Sequence, residues 1–278
     1  MCAGGLGAGK DAAGEFRAER LPGARFFDLD AVCDKSTDLP HMLPSEAAFA
    51  AAADALGVSN DDAVVVYDRL GLFSAPRAWW TWRVFGHECV AVLDGGLPAW
   101  RAAGGAVDTS PVGEEERRAG AAAAAAPPQG PPRYLASLRR GEVRGWQEVL
   151  ANVASGEELV VDARPAARWR GDAPEPRPGL ALGHIPGSAS VPWDSVQRQG
   201  RMLPAAELAA VFRAAGVSPD SARSVVASCG SGTTACILVL ALQQLHPQVA
   251  AAVYDGSWSE WGALPGVPVE RRPAAAAS

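Results

Sequence analysis

The chain has 278 residues, 48% of them hydrophobic, and a formal net charge of −6. That length supports two ordinary domains, each with its own core, while no apolar run approaches the ~20 residues that cross a bilayer. Its arginines are scattered among acids, which argues against a nucleic-acid-binding stripe, and its five cysteines are widely spaced without a CxxC, which argues against a disulfide scaffold or structural zinc.

The opening stretch, MCAGGLGAGKDAAGEF, reads as neither a secretory signal nor a transit peptide, so the expected location is the cytoplasm, with the mitochondrion left open. Further on, RLPGARFFDLD (20–30), VVVYD (64–68) and DGGLPAW (94–100) return as HIPGSASVPWD (184–194), VVASC (225–229) and DGSWSEW (255–261) at a nearly constant spacing. Three matches in register imply a duplicated fold. The same spacing puts the counterpart of LVVDA (159–163) near or before Met1, so the first copy is expected to lack its opening strand and helix. Between the copies, GGAVDTSPVGEEERRAGAAAAAAPPQGPP has no period that could bury a face and reads as an exposed linker. The expected organisation is a first domain at 1–104, an Ala/Pro-rich linker at 105–138 and a second domain at 139–278.

In the second copy ELVVDA, RSVVAS and AAAVYDG predict strands. AAELAAVFRAAG predicts an amphipathic helix ending on a glycine, and TACILVLALQQL a buried helix. The fold class is therefore α/β: two tandem domains, each a parallel sheet flanked by helices. Ligands in such sheets bind beyond the carboxyl ends of the strands, where Cys229 falls.

Cys229 begins the stretch SCGSGTTAC, placed between a strand and a helix. A thiol is a useful nucleophile only as the thiolate, and a strand–loop–helix turn favours that form by curling N–H groups and a positive helix end toward sulfur. Gly230 and Gly232 permit the tight curl, and Ser231, Thr233 and Thr234 can add hydroxyl donors. The other cysteines, Cys2, Cys33, Cys89 and Cys236, read as small hydrophobes. The sixth residue after Cys229 is Ala235 where a phosphatase would carry arginine, so phosphate-ester hydrolysis is not expected. No metal or organic cofactor is called for.

CGSGTTA, with ARFFDLD, LPHMLPS, VVVYDRLGLFSAPRAWW, VVDARPAARWRGDAPEPRPG, GHIPG and VYDGSWSEW, resembles the two-domain 3-mercaptopyruvate sulfurtransferases of the rhodanese superfamily. The resemblance covers most of the chain from about residue 20 onward. It implies a catalytic second domain and a first domain without the nucleophile, and the first-copy loop YDRLGLFSAP indeed has no cysteine. It implies that Arg168 and Arg177 hold the carboxylate and carbonyl of the substrate, with Gly230, Gly232, Thr233 and Thr234 completing the binding loop. It further implies a Ser231–His41–Asp30 proton relay, with His41 and Asp30 supplied by the first domain. Sulfur would pass from 3-mercaptopyruvate through a Cys229 persulfide to an acceptor, either cyanide or a thiol such as thioredoxin or a small thiol. Thiosulfate-preferring relatives place basic side chains after the cysteine; uncharged Gly230 and Ser231 suit a donor with one carboxylate better. Two alternatives stay open: a thiosulfate sulfurtransferase, and an inactive sulfur-carrying or binding module. His184 is expected to serve structure, and Trp79, Trp80, Trp82, Trp258 and Trp261 to serve packing.

Overall fold

Both copies build on short parallel strands alternating with helices, the valine-rich strands Val64–Val66, Val90–Val92, Leu159–Asp162 and Val225–Ser228 among them. The computed structural model describes residues 1–4, 11–113, 133–218 and 223–271. Most of the expected linker, residues 114–132, lies outside the described residues. The chain divides into two units, Met1–Arg139 with Gln199–Arg201, and Arg140–Arg198 with Met202–Ser278.

The first unit runs β1 (Cys2–Gly4), α1 (Ala12–Ala18), β2 (Phe26–Asp28), α2 (Glu46–Ala55), β3 (Val64–Val66), α3 (Ala75–Val84), β4 (Val90–Val92) and α4 (Gly96–Ala102). β1 pairs with β2 in register Cys2 to Phe26, and β3 with β4 in register Val64 to Val90, all parallel. A parallel bridge from Cys2 to Tyr67 joins the two pairs, with the Ala3 N–H donating to the Tyr67 carbonyl at 2.8 Å. Phe27, Phe49, Trp82, Phe85 and Tyr134 pack below as a buried aromatic cluster, with the Phe49 and Phe85 rings 4.4 Å apart. Each such ring contributes roughly 2–3 kcal/mol through burial.

The second unit runs β5 (Val143–Arg144), α5 (Trp146–Ser155), β6 (Leu159–Asp162), α6 (Ala166–Arg170) and β7 (Ala189–Ser190). There follow the hairpin strands β8 (Gln197–Arg198) and β9 (Arg201–Met202), then α7 (Ala205–Ala214), β10 (Val225–Ser228), α8 (Ala235–Leu245), β11 (Ala251–Tyr254) and α9 (Ser257–Trp261). Its parallel sheet has the order β5-β11-β10-β6-β7, so the strand leading to Cys229 lies at the centre. Helix α8, ACILVLALQQL, is buried along Ala235–Val239 and again at Ala241 and Leu242, which explains its lack of charged residues. Trp258, Trp261, Tyr254 and Val226 share a core cluster with Val149, Val160 and Ile185.

One expectation is corrected. The place that β6 holds in the second unit is held in the first by β1, which lies between β2 and the Tyr67 end of β3. The opening strand is thus present as Cys-Ala-Gly. The constant spacing missed it because the β1–β2 connection is shorter than the β6–β7 one, and because Cys-Ala-Gly carries no β-branched run. What has no counterpart among the described residues of the first unit is the pair β5 and α5.

Candidate active site

Central strand β10 delivers Cys229 to the carboxyl end of the sheet, and the chain then turns into α8. The turn is stitched to the start of α9. The Cys229 N–H donates to Ser257 Oγ at 3.1 Å, and the Cys229 carbonyl accepts from the Trp258 N–H at 3.0 Å. The Gly230 carbonyl accepts twice from Ser259, from its N–H at 2.8 Å and from its Oγ at 2.6 Å. Ser257 itself sits at φ 49°, held by an Oγ bond to the Tyr254 carbonyl at 2.7 Å. Gly232 has φ 75°, where a side chain is strained, and its carbonyl accepts from Cys236 Sγ at 3.3 Å.

The carbonyls of Cys229, Gly230 and Gly232 are thus occupied. Among the described residues, the N–H groups of Gly230, Ser231, Thr233 and Thr234 donate to no group of the protein. They stand at the positive end of an eleven-residue helix, next to the cysteine. Such a nest of free donors is suited to an anion. Cys229 is 1% exposed, so bulk water is kept from the residue. The Thr233 hydroxyl is buried without a partner, whereas Ser231 and Thr234 are partly exposed.

Both arginines singled out in the sequence border Gly230. Arg168, on α6, places Nη2 3.4 Å from where a Cβ on Gly230 would stand, a van der Waals distance that sets the guanidinium beside this residue. Arg177 reaches the same residue through Ser259, donating from Nη1 to the Oγ that bonds the Gly230 carbonyl, at 3.1 Å. Behind Arg168 stands Glu175, which also takes Arg164 Nη1 at 2.8 Å. Burial alone would lower the pKa of Arg164, but Asp162 and Glu175 more than offset it and push the pKa upward. The Arg164 guanidinium also lies 4.1 Å from the centre of the Trp258 ring.

Within the first unit, His41 Nδ1 and Asp30 Oδ1 are 2.9 Å apart. His41 adopts φ 61°, a left-handed conformation unusual for a residue with a side chain, and the buried Arg77 donates to its carbonyl. In the second unit His184 is stacked on Trp169 at 3.9 Å between ring centres, with Nδ1 2.7 Å from the Trp169 carbonyl, a packing role. No group of three or more His, Cys, Asp or Glu side chains able to hold a metal occurs among the described residues.

Sequence reading missed Glu175, Ser257, Ser259 and Asp68. DGSWSEW carries a signal only for its tryptophans, and Glu175 is one acid among prolines. Asp68 follows β3 as Cys229 follows β10, and its carboxylate fills the first unit's own loop. Oδ1 accepts the N–H groups of Leu70 at 2.8 Å and Gly71 at 2.7 Å. Oδ2 accepts those of Phe73 at 2.8 Å, Ser74 at 2.9 Å and Ala75 at 2.8 Å.

Comparison with known proteins bears on what this arrangement does. The rhodanese-like domain family matches residues 11–103 and again 146–264. The thiosulfate/3-mercaptopyruvate sulfurtransferase 2 of Arabidopsis thaliana is 47% identical over 265 residues, covering 92% of this chain and 76% of the relative. The mitochondrial thiosulfate/3-mercaptopyruvate sulfurtransferase 1 of the same plant is 45% identical, covering 92% of this chain and 69% of its own length. The crystal structure of SseA from Escherichia coli, described in terms of the rhodanese fold and 3-mercaptopyruvate sulfotransferase mechanism, superposes with a TM-score of 0.76. It is 36% identical and covers 93% of this chain and 92% of its own.

Proposed function

The chain belongs to the rhodanese family and is a sulfurtransferase that moves sulfur from a donor to a thiol or cyanide acceptor, and on that premise we propose that 3-mercaptopyruvate is its donor and Cys229 its sulfur carrier. The Cys229 thiolate attacks the donor sulfur. An S–S bond forms, the S–C bond breaks, and its electron pair leaves on the enolate of pyruvate. The proton lost from the donor thiol is balanced by the one gained at the methylene carbon, giving pyruvate and a Cys229 persulfide anion. The loop N–H groups stabilise that anion as an oxyanion hole does an alkoxide. In the second half-reaction an acceptor thiolate or cyanide takes the outer sulfur and restores the Cys229 thiolate.

One observation carries this reading: Arg168 and Arg177 both border Gly230, the residue after the nucleophile. A guanidinium fork binds a carboxylate at two points, and the loop itself adds no cation that would favour a dianion. Gly230, Gly232, Thr233 and Thr234 shape the binding loop. Ser231, His41 and Asp30 are assigned to proton delivery, Asp30 fixing the His41 tautomer through Nδ1. Thioredoxin or a small thiol is the proposed acceptor, and the cytoplasm or mitochondrion the proposed compartment, the latter supported by the name of the mitochondrial relative.

The test compares kcat/KM for 3-mercaptopyruvate and thiosulfate in wild type and Cys229→Ser. A preference for mercaptopyruvate, with pyruvate release abolished in the variant, is the expected result. Preference for thiosulfate would move the assignment to the alternative donor, and pyruvate release by the variant would remove Cys229 from the chemistry.

A further inference from the structure

The donor side of the site contains one acid with a structural position but no assigned role. Glu175 is 2% exposed, between Pro174 and Pro176, and both its oxygens are committed. Oε1 accepts from Arg164 Nη1 at 2.8 Å; Oε2 accepts from Arg168 Nε at 3.1 Å and from Arg168 Nη2. Arg164 has a carboxylate of its own. Asp162 meets its Nε at 3.1 and 3.0 Å and its Nη2 at 2.6 Å, and the Gly183 carbonyl takes Nη2 as well at 2.8 Å. Arg164 and Asp162 therefore balance each other inside the fold, and the negative charge of Glu175 is left to face Arg168. Arg177 is different: its partner is the Ser259 hydroxyl, and it has no carboxylate partner among the described residues.

Counting charge at the Gly230 edge gives two guanidiniums and one buried carboxylate, a surplus of a single positive charge. That matches a donor with one carboxylate and falls one short of a dianion. Arg177 is exposed, but the Arg168 side chain is 20% and that of Glu175 2% exposed, and charges so shielded are screened less than surface ones, so the Glu175 charge changes relative affinities by roughly an order of magnitude. We propose that Glu175 is a specificity-determining residue: its buried charge, held between Arg164 and Arg168, sets the donor site for singly charged donors and against thiosulfate. This rests on the reading that Arg168 and Arg177 hold the donor. It differs from the uncharged Gly230 and Ser231 in being an active cancellation of positive charge, and discrimination against a wrong partner commonly uses such an element.

The experiment measures kcat/KM for both donors in wild type, Glu175→Gln and Glu175→Asp. Glu175→Gln is expected to raise the thiosulfate value about threefold to tenfold and that for mercaptopyruvate distinctly less, so that the donor ratio shifts toward thiosulfate, and Glu175→Asp, which keeps the charge, to retain the wild-type ratio within about twofold. A lost packing contact would lower both values together, so an equal fall in both overturns the proposal, as does an unchanged ratio. Wild-type protein supplies a second measurement that does not depend on a folded variant. As competitive inhibitors against mercaptopyruvate, singly charged pyruvate is expected to bind about tenfold more tightly than doubly charged oxalate; oxalate binding equally or better overturns the proposal. A wild-type preference for thiosulfate would instead strike the donor assignment itself, so the two failures are told apart.

Discussion

The loop after β3 and the loop after β10 are two copies of one device in opposite states. Each ends a strand, each turns through a left-handed glycine (Gly71 at φ 112°, Gly232 at φ 75°), and each leads into a helix. In the first, the Asp68 carboxylate collects five main-chain N–H groups. In the second, Cys229 stands in the place of Asp68, and among the described residues the N–H groups of Gly230, Ser231, Thr233 and Thr234 stay uncommitted. The difference teaches what the turn is for. Built with a resident anion it is a structural clasp; built with a thiol it keeps, on the proposed reading, its donors for a charge that arrives with the substrate.

Exchanging the two residues breaks the comparison most sharply. Cys229→Asp should install the clasp in the second unit: sulfur transfer falls at least ~1,000-fold for want of a nucleophile, while the melting temperature stays at or above that of wild type. Loss of stability together with activity would mean the two loops are not equivalent. Asp68→Ala performs the reverse experiment. It leaves buried N–H groups without an acceptor, and urea unfolding should show a loss of about 3–5 kcal/mol. A change under 1 kcal/mol would show that the carboxylate is incidental.

A smaller effect sharpens the role of the arginines beside the open loop. Arg177→Lys keeps the charge but loses the planar fork, and KM for mercaptopyruvate should rise about tenfold with kcat changed less. Smaller still is the effect of the buried Cys2 thiol, on the β1 strand that precedes the Asp68 clasp in the sheet. Burial pushes its pKa from 9.0 up to about 11. The folded state therefore holds this proton more firmly than the unfolded chain. Its contribution to stability is complete below pH 9 and is lost as pH rises through about 11. Cys2→Ala should flatten the stability profile between these values in pH-dependent urea titrations.

How much of this could be read from the sequence depends on where each partner lies along the chain. SCGSGTTAC announces itself because nucleophile, glycines and helix start are contiguous, and the duplicated motifs announce the paired fold because their spacing is preserved. Arg168 and Arg177 were found through the resemblance of RWRGDAPEPRPG to a family motif. Ser259 was not, because its bonds reach back 29 residues to Gly230 and 82 to Arg177, and no local pattern encodes them. Asp68 was aligned with Cys229, yet its donors are main-chain N–H groups, which leave no side-chain signature. β1 escaped because a three-residue strand of Cys, Ala and Gly has no period to detect. The Asp30–His41 contact joins two loops whose proximity follows only from the fold.

Mass spectrometry of wild-type protein after one equivalent of 3-mercaptopyruvate, with pyruvate measured in the same sample, tests the carrier role of the open loop most directly. One sulfur atom added to the peptide containing Cys229, matched by an equal amount of pyruvate and removed by a thiol acceptor, is the predicted result. Pyruvate released without that adduct, or sulfur found on a different cysteine, would contradict it.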